Sequence, residues 1–177
     1  MAVKMKKDGY AQLEPNRLSA QKTKEIFGQL PLDDAVTLCE QGMALVYDEV
    51  TEKVRLPKTG ERVCLVYNEF ILEDERKQQD KDFAIKNRAE NAYQTANKAY
   101  PRLYGLHVGD IFHTNAVMLD SAEAEVTAGD VFVADATTGY WVKSTDEGAA
   151  EPINLKVVKN STMPDGQRGI KFVVSKA

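Results

Sequence analysis

After Pro101 the sequence settles into short runs rich in Val, Ile and aromatic residues, spaced at roughly ten residues and bounded by Gly, Asp or Pro. The runs are "GDIFHTNAVML", "DVFVAD", "YWVKS", "INLKVVK" and "GIKFVVSK", with turn signals at "VTAGD", "TTGY" and "PDGQRG". Branched and aromatic side chains fit a pleated surface, and the Gly and Asp between them tolerate the backbone angles of tight turns. This pattern predicts a mainly β chain: a small β-barrel or sandwich.

Two of the strand starts are near copies of each other. "VGDIF" and "AGDVF" each set a Gly-Asp pair before a β-branched residue and a Phe, placing Asp110 and Asp130 twenty residues apart. Read as chemistry, the doublet is a carboxylate pair for acid–base work, but no nucleophile or sugar site accompanies it. Read as architecture, Gly takes a positive φ, Asp bonds nearby backbone amides, and the next residues enter a sheet. The architectural reading is the expectation.

Other motifs are also unpromising for catalysis. His107 and His113, six apart on an unbroken strand, would share a face with Asp110 on the opposite one, which spoils a three-ligand metal site. "LPKTGER" lacks the frame of a phosphate loop, and no Gly-x-Ser-x-Gly elbow occurs. Cys39 and Cys64 sit among apolar neighbours, which suggests buried thiols in a reducing compartment, with a disulfide as the alternative. Of the adjacent Tyr140 and Trp141, one ring is expected in the core and its neighbour outward. No enzyme activity, cofactor, catalytic residue or metal ligand is expected.

The first half is organised differently. Residues 1–34 show no steady period and contain Pro15 and Pro31. They suggest an extended N-terminal arm, disordered in an isolated monomer or ordered by lying across something else. Its candidate partner-binding residues are the cations Lys4, Lys6, Lys7 and Arg17 and the apolar anchors Leu13, Leu18, Ile26, Phe27 and Leu30. A β-domain over 35–177 follows. It opens with strand-like runs at "MALVYDEV", "KVRLP" and "GERVCLVYNEFIL". Three- and four-residue apolar steps then predict one helical insertion near 75–100, ended by Pro101.

Charge is unevenly placed in a chain of 177 residues and formal charge -4. Residues 1–24 carry six bases against two acids, a formal +4, and residues 116–155 carry eight acids against Lys143, a formal -7. A basic arm and an acidic domain suit head-to-tail pairing of copies or a grip on an acidic lattice. No apolar run approaches the roughly 20 residues that cross a bilayer, and no apolar stretch follows the charged start, so neither a membrane nor a secretory signal is expected.

A polar arm followed by "VTAGDVFVADATTGYWVKS" resembles the decoration, or cement, proteins on the heads of tailed bacteriophages. The resemblance covers about residues 105–145 in texture. It implies a structural virion protein on the capsid surface, assembled in the host cytoplasm. Its partners would be the major capsid protein, copies of itself, or both. The alternative is a small-barrel single-stranded nucleic-acid binder using Tyr140, Trp141 and the basic arm. The acidic 116–155 block opposes that reading, and no nucleic acid is expected. A carbohydrate- or host-binding domain would need several exposed aromatics, which the composition does not suggest.

Overall fold

The computed structural model describes residues 2–6, 11–67, 100–121, 124–146, 148, 150–164 and 166–177. The chain is mainly β; the described residues form strands in two sheets and one short helix, α1 (Ala20–Thr23). The N-terminal segment supplies β1 (Val3–Lys4), β2 (Leu13–Arg17) and β3 (Ile26–Phe27). Next come β4 (Ala44–Asp48), β5 (Lys53–Arg55), β6 (Cys64–Val66) and β7 (Leu103–Gly105). The C-terminal half adds β8 (Ile111–Thr114), β9 (Val117–Leu119), β10 (Val131–Ala134), β11 (Trp141–Lys143), β12 (Asn154–Thr162) and β13 (Arg168–Lys176). The helix expected near 75–100 falls, except for Tyr100, outside the described residues.

One sheet has eight strands in the order β1-β9-β11-β10-β12-β13-β8-β2, and the other has five, β3-β7-β6-β4-β5. Both are open ladders with two edges, so no closed barrel forms among the described residues. The main core draws Phe112, Phe132, Trp141, Leu155 and Phe172 from the first sheet and Ala44, Leu65 and Tyr104 from the second. Rings of Phe112, Phe132 and Phe172 meet at 5.2–6.0 Å, a range typical of aromatic pairs. A smaller core gathers the alternate residues of the five-stranded sheet, Leu45, Val66 and Leu103, with Met43, Val54 and Tyr140. That sheet is therefore apolar on both faces, which accounts for the continuous rather than alternating character of "VCLVY".

The extended arm expected over residues 1–34 is not a separate element. Its strands occupy three of the four sheet edges: β1 and β2 at the two ends of the large sheet and β3 at one end of the small one. Such strands pair on one side only, so they do not need a strict two-residue period, and Pro15 is tolerated in β2 because an edge strand can lack a donor.

Candidate functional site

The stretch Leu106–Asn115 is where the chain's polar chemistry concentrates, and its partner is the N-terminal segment. His107 Nε2 lies 2.7 Å from Glu25 Oε2 and His113 Nδ1 lies 2.9 Å from Glu14 Oε2. Arg17 donates to the Gly109 carbonyl at 2.5 Å through Nη2 and 3.2 Å through Nε. Asp110 Oδ1 accepts the Ser19 amide at 2.8 Å and the Ser19 hydroxyl at 2.6 Å. Asn115 Oδ1 accepts the Gln12 amide at 2.6 Å. Between these, β2 runs antiparallel to β8, with Leu13 opposite Thr114 and Pro15 opposite Phe112. The strip is a receptor for a segment of its own chain between Gln12 and Glu25.

The Gly-Asp doublet has the same local geometry in both copies. Gly109 and Gly129 have φ of 90° and 99°, a region open to Gly because it lacks a Cβ. Asp110 Oδ2 accepts the amide of His107, and Asp130 Oδ2 accepts the amide of Thr127, each at 2.9 Å. Gly109 and Asp110 exchange backbone bonds with Val174 of β13, and Gly129 and Asp130 do so with Val157 of β12, all four at 2.9 Å. The repeat is a strand-starting turn used twice. The copies differ in the remaining partner: Asp110 takes Ser19, while Asp130 takes Lys143 Nζ at 2.8 Å. Lys143 and the Thr127 amide hold the Asp130 carboxyl below its ordinary range.

The two carboxylates therefore serve separate turns. His107 and His113 also behave differently from the reading that put them on one face of an unbroken strand. The chain turns at Gly109 before β8 begins, so the two-residue period does not run through from 107 to 113.

Every expected partner-binding residue except Lys7 now has a place. Leu18 is buried in the main core, with Leu13 and Ile26 packed against it. Phe27 and Leu30 pack on the second core, and Phe27 stacks on Tyr47 at 4.9 Å between centroids. These apolar anchors, expected to contact other chains, are buried or half-buried within this one. The reason is that three edge strands bring them over the sheets. Lys6 forms a buried ion pair with Glu40, and Lys4 lies 3.9 Å from the same carboxylate and 4.5 Å above the Tyr140 ring. Burial pushes the Lys6 ammonium below its ordinary range despite the attraction of Glu40. Lys7 lies outside the described residues.

The sequence reading missed Glu40, whose side chain is fully buried, and Ser19. Nothing in "LCEQGM" marks a charged residue as buried, apart from its apolar neighbours. The pair Tyr140 and Trp141 also departs from expectation. Their rings point to opposite faces, but both are buried, Trp141 in the main core and Tyr140 in the second. Trp141 Nε1 donates to the Gly42 carbonyl at 2.8 Å. Cys39 and Cys64 are not joined in a disulfide, and burial pushes their thiols up to about 12 and about 11. Among the described residues no group of three or more His, Cys, Asp and Glu side chains gathers as a metal site. Comparison with family models, curated proteins and solved structures finds no match.

Proposed function

We propose that this chain is a structural virion protein that binds and stabilises an assembled phage capsid. In this reading the two sheets form a sandwich-like body, and the major capsid protein or further copies of the chain are the partners. The observation that carries the proposal is the use made of Leu106–Asn115: two histidines, an aspartate and an asparagine are committed to holding the N-terminal segment. Chemistry invested in closing a fold supports a scaffold. The resemblance to decoration proteins covers about residues 105–145 and includes the β10–β11 hairpin, whose Asp135 side chain accepts the Thr138 amide in the turn.

The single-stranded nucleic-acid reading gains nothing from Tyr140 and Trp141, which are 3% and 0% exposed and offer no stacking platform. The test is immunoelectron microscopy and quantitative gel analysis of particles from the producing host. A capsid-bound protein appears on heads at a fixed ratio to the major capsid protein. Recovery of the protein only outside particles would remove the virion reading.

A further inference from the structure

The large sheet has a second face, opposite the main core. Ile111, Val131, Val133, Val142 and Val173 alternate along their strands with the core residues Phe112, Phe132, Trp141 and Phe172, so they point away from it. All five are half-buried and none joins either hydrophobic core. Register makes them neighbours. Val133 stands opposite Val142, and Val131, Lys156, Val173, Ile111 and Arg17 form one row across β10, β12, β13, β8 and β2. A second row runs Lys159, Lys171, His113, Glu14. Between the rows the β12 register shifts at Val158, which is 43% exposed.

This face combines apolar β-branched side chains with cations. Among the described residues, Lys156, Lys159 and Lys171 make no ion pair with a carboxylate. Residues 156–177 as a whole hold five bases against one acid, a formal +4. Valines without aromatic rings do not stack bases, so the pattern favours a protein surface bearing carboxylates.

We infer that this face docks a second copy of the chain, through that copy's Asp120 and Glu125, which lie between its β9 and β10. Charge complementarity singles out that occupant: the formal -7 of residues 116–155 includes Asp120 and Glu125, both exposed. Asp130 is already engaged with Lys143, and Glu151 with the Gly60 amide at 3.0 Å. A two-fold contact of face on face would set the lysine rows against each other, which is unfavourable. The contact therefore joins two different surfaces, loop on face, and closes as a reciprocal two-fold pair or as a ring. The chain's own residues 68–99 are a poorer match: seven acids against six bases give a formal -1, and the flanking β6 and β7 lie in the other sheet. This inference does not rest on the virion reading.

Sedimentation velocity of the full chain at about 50 mM and about 500 mM salt tests it, since exposed charges are screened within a few ångströms at the higher value. Expected is concentration-dependent association at low salt that weakens at least tenfold at high salt. Lys159→Glu/Lys171→Glu should abolish it, and so should Asp120→Lys/Glu125→Lys. Mixing the two variants should restore a complex, because the intact loop of one meets the intact face of the other. Val133→Thr, which keeps shape and strand preference, should weaken association severalfold without a charge change. Thermal melts matching the parent chain show that each variant is folded. A parent chain that stays monomeric at all concentrations, or an association unchanged by the lysine reversals, overturns the inference.

Discussion

The carboxylate of Asp110 accepts both the amide and the hydroxyl of Ser19, ninety-one residues earlier in the chain, at 2.8 and 2.6 Å. Its other oxygen closes the turn before β8 by accepting the His107 amide. One fully buried side chain thus joins the start of an inner strand to the segment that caps the sheet edge.

Asp110→Ala should therefore cost much more than Asp130→Ala, although the two sit in the same five-residue motif. Hydrogen bonds to a charged group contribute roughly 1.5–3 kcal/mol each, and Asp110 has three such donors while burying its carboxylate. A loss of about 3 kcal/mol or more is expected at Asp110 and about 1 kcal/mol at the more exposed Asp130. Urea denaturation midpoints at constant slope decide this, and equal losses would show that the Ser19 contact contributes nothing.

Such asymmetry marks what the sequence could reveal. Strands β4, β5, β6 and β10–β13 were legible because their residues alternate or run apolar between Gly and Asp punctuation, whereas "GDIFHTNAVML", read as one run, holds two strands, β8 and β9, that are not neighbours in the sheet. The turn role of the doublet was legible because Gly-Asp acts locally, within three residues. Asp110 and Ser19 were not recognisable as partners, since a contact spanning ninety-one positions leaves no periodic trace. Strands β1, β2 and β3 were hidden for a related reason: an edge strand of two to five residues, paired on one side, carries too few apolar positions to show a period. Strand β7 was missed because Leu103–Gly105 follows closely on Pro101 and ends in Gly, so it carries turn signals on both sides of only two apolar residues.

Lys6 and Glu40 should behave as a unit. Lys6→Met leaves the Glu40 carboxylate buried, with Lys4 at 3.9 Å the one other cation near it among the described residues. Removing one partner of a buried pair typically costs about 3–5 kcal/mol, whereas replacing both by apolar side chains is often close to neutral. The double variant Lys6→Met/Glu40→Leu should thus regain most of the stability that Lys6→Met loses. A double-mutant cycle in urea measures it, and strictly additive losses would contradict a coupled pair.

Acid should weaken the β4–β5 hairpin through Arg55. Its guanidinium bonds Asp48 at 2.8 Å and Glu61 at 2.8 and 2.9 Å, and these bonds hold both carboxyls down at about 2. Unfolded, the two groups titrate near ~4. A carboxyl depressed in the folded state contributes stability that is present above its unfolded value and is lost as pH falls through its folded value. The difference in melting temperature between the parent chain and Arg55→Met should therefore be largest above about pH 5 and shrink toward pH ~2. A difference that stays constant over that range would mean that the triad has no linked protons.

The two thiols should be silent in the native state. Cys39 is buried, and burial raises both thiols, to about 12 and about 11, so almost no thiolate exists at neutral pH. Ellman's reagent at pH ~8 should label neither within the time that it labels both in denaturant. Rapid native labelling of Cys64, the less buried of the two, would show that the five-stranded sheet opens readily at β6.

Removal of residues 1–34 should unfold the body instead of freeing it from a tether. The deletion takes away three of the four edge strands, together with buried Met5, Leu18 and Ala20. Met5 and Leu18 alone represent roughly 1.5–3 kcal/mol each by burial, against a total stability of about 5–15 kcal/mol for a domain. Half-buried Leu13, Ile26, Phe27 and Leu30 add to the loss, and opened edges invite aggregation. His107, Asp110 and His113 would also lose Glu25, Ser19 and Glu14. The truncated chain should show no cooperative thermal transition, and a synthetic 1–34 peptide added in trans should restore one. A truncated chain that melts cooperatively at the temperature of the full chain would show that the N-terminal strands are dispensable to the fold, and that their role lies in contacts with other molecules.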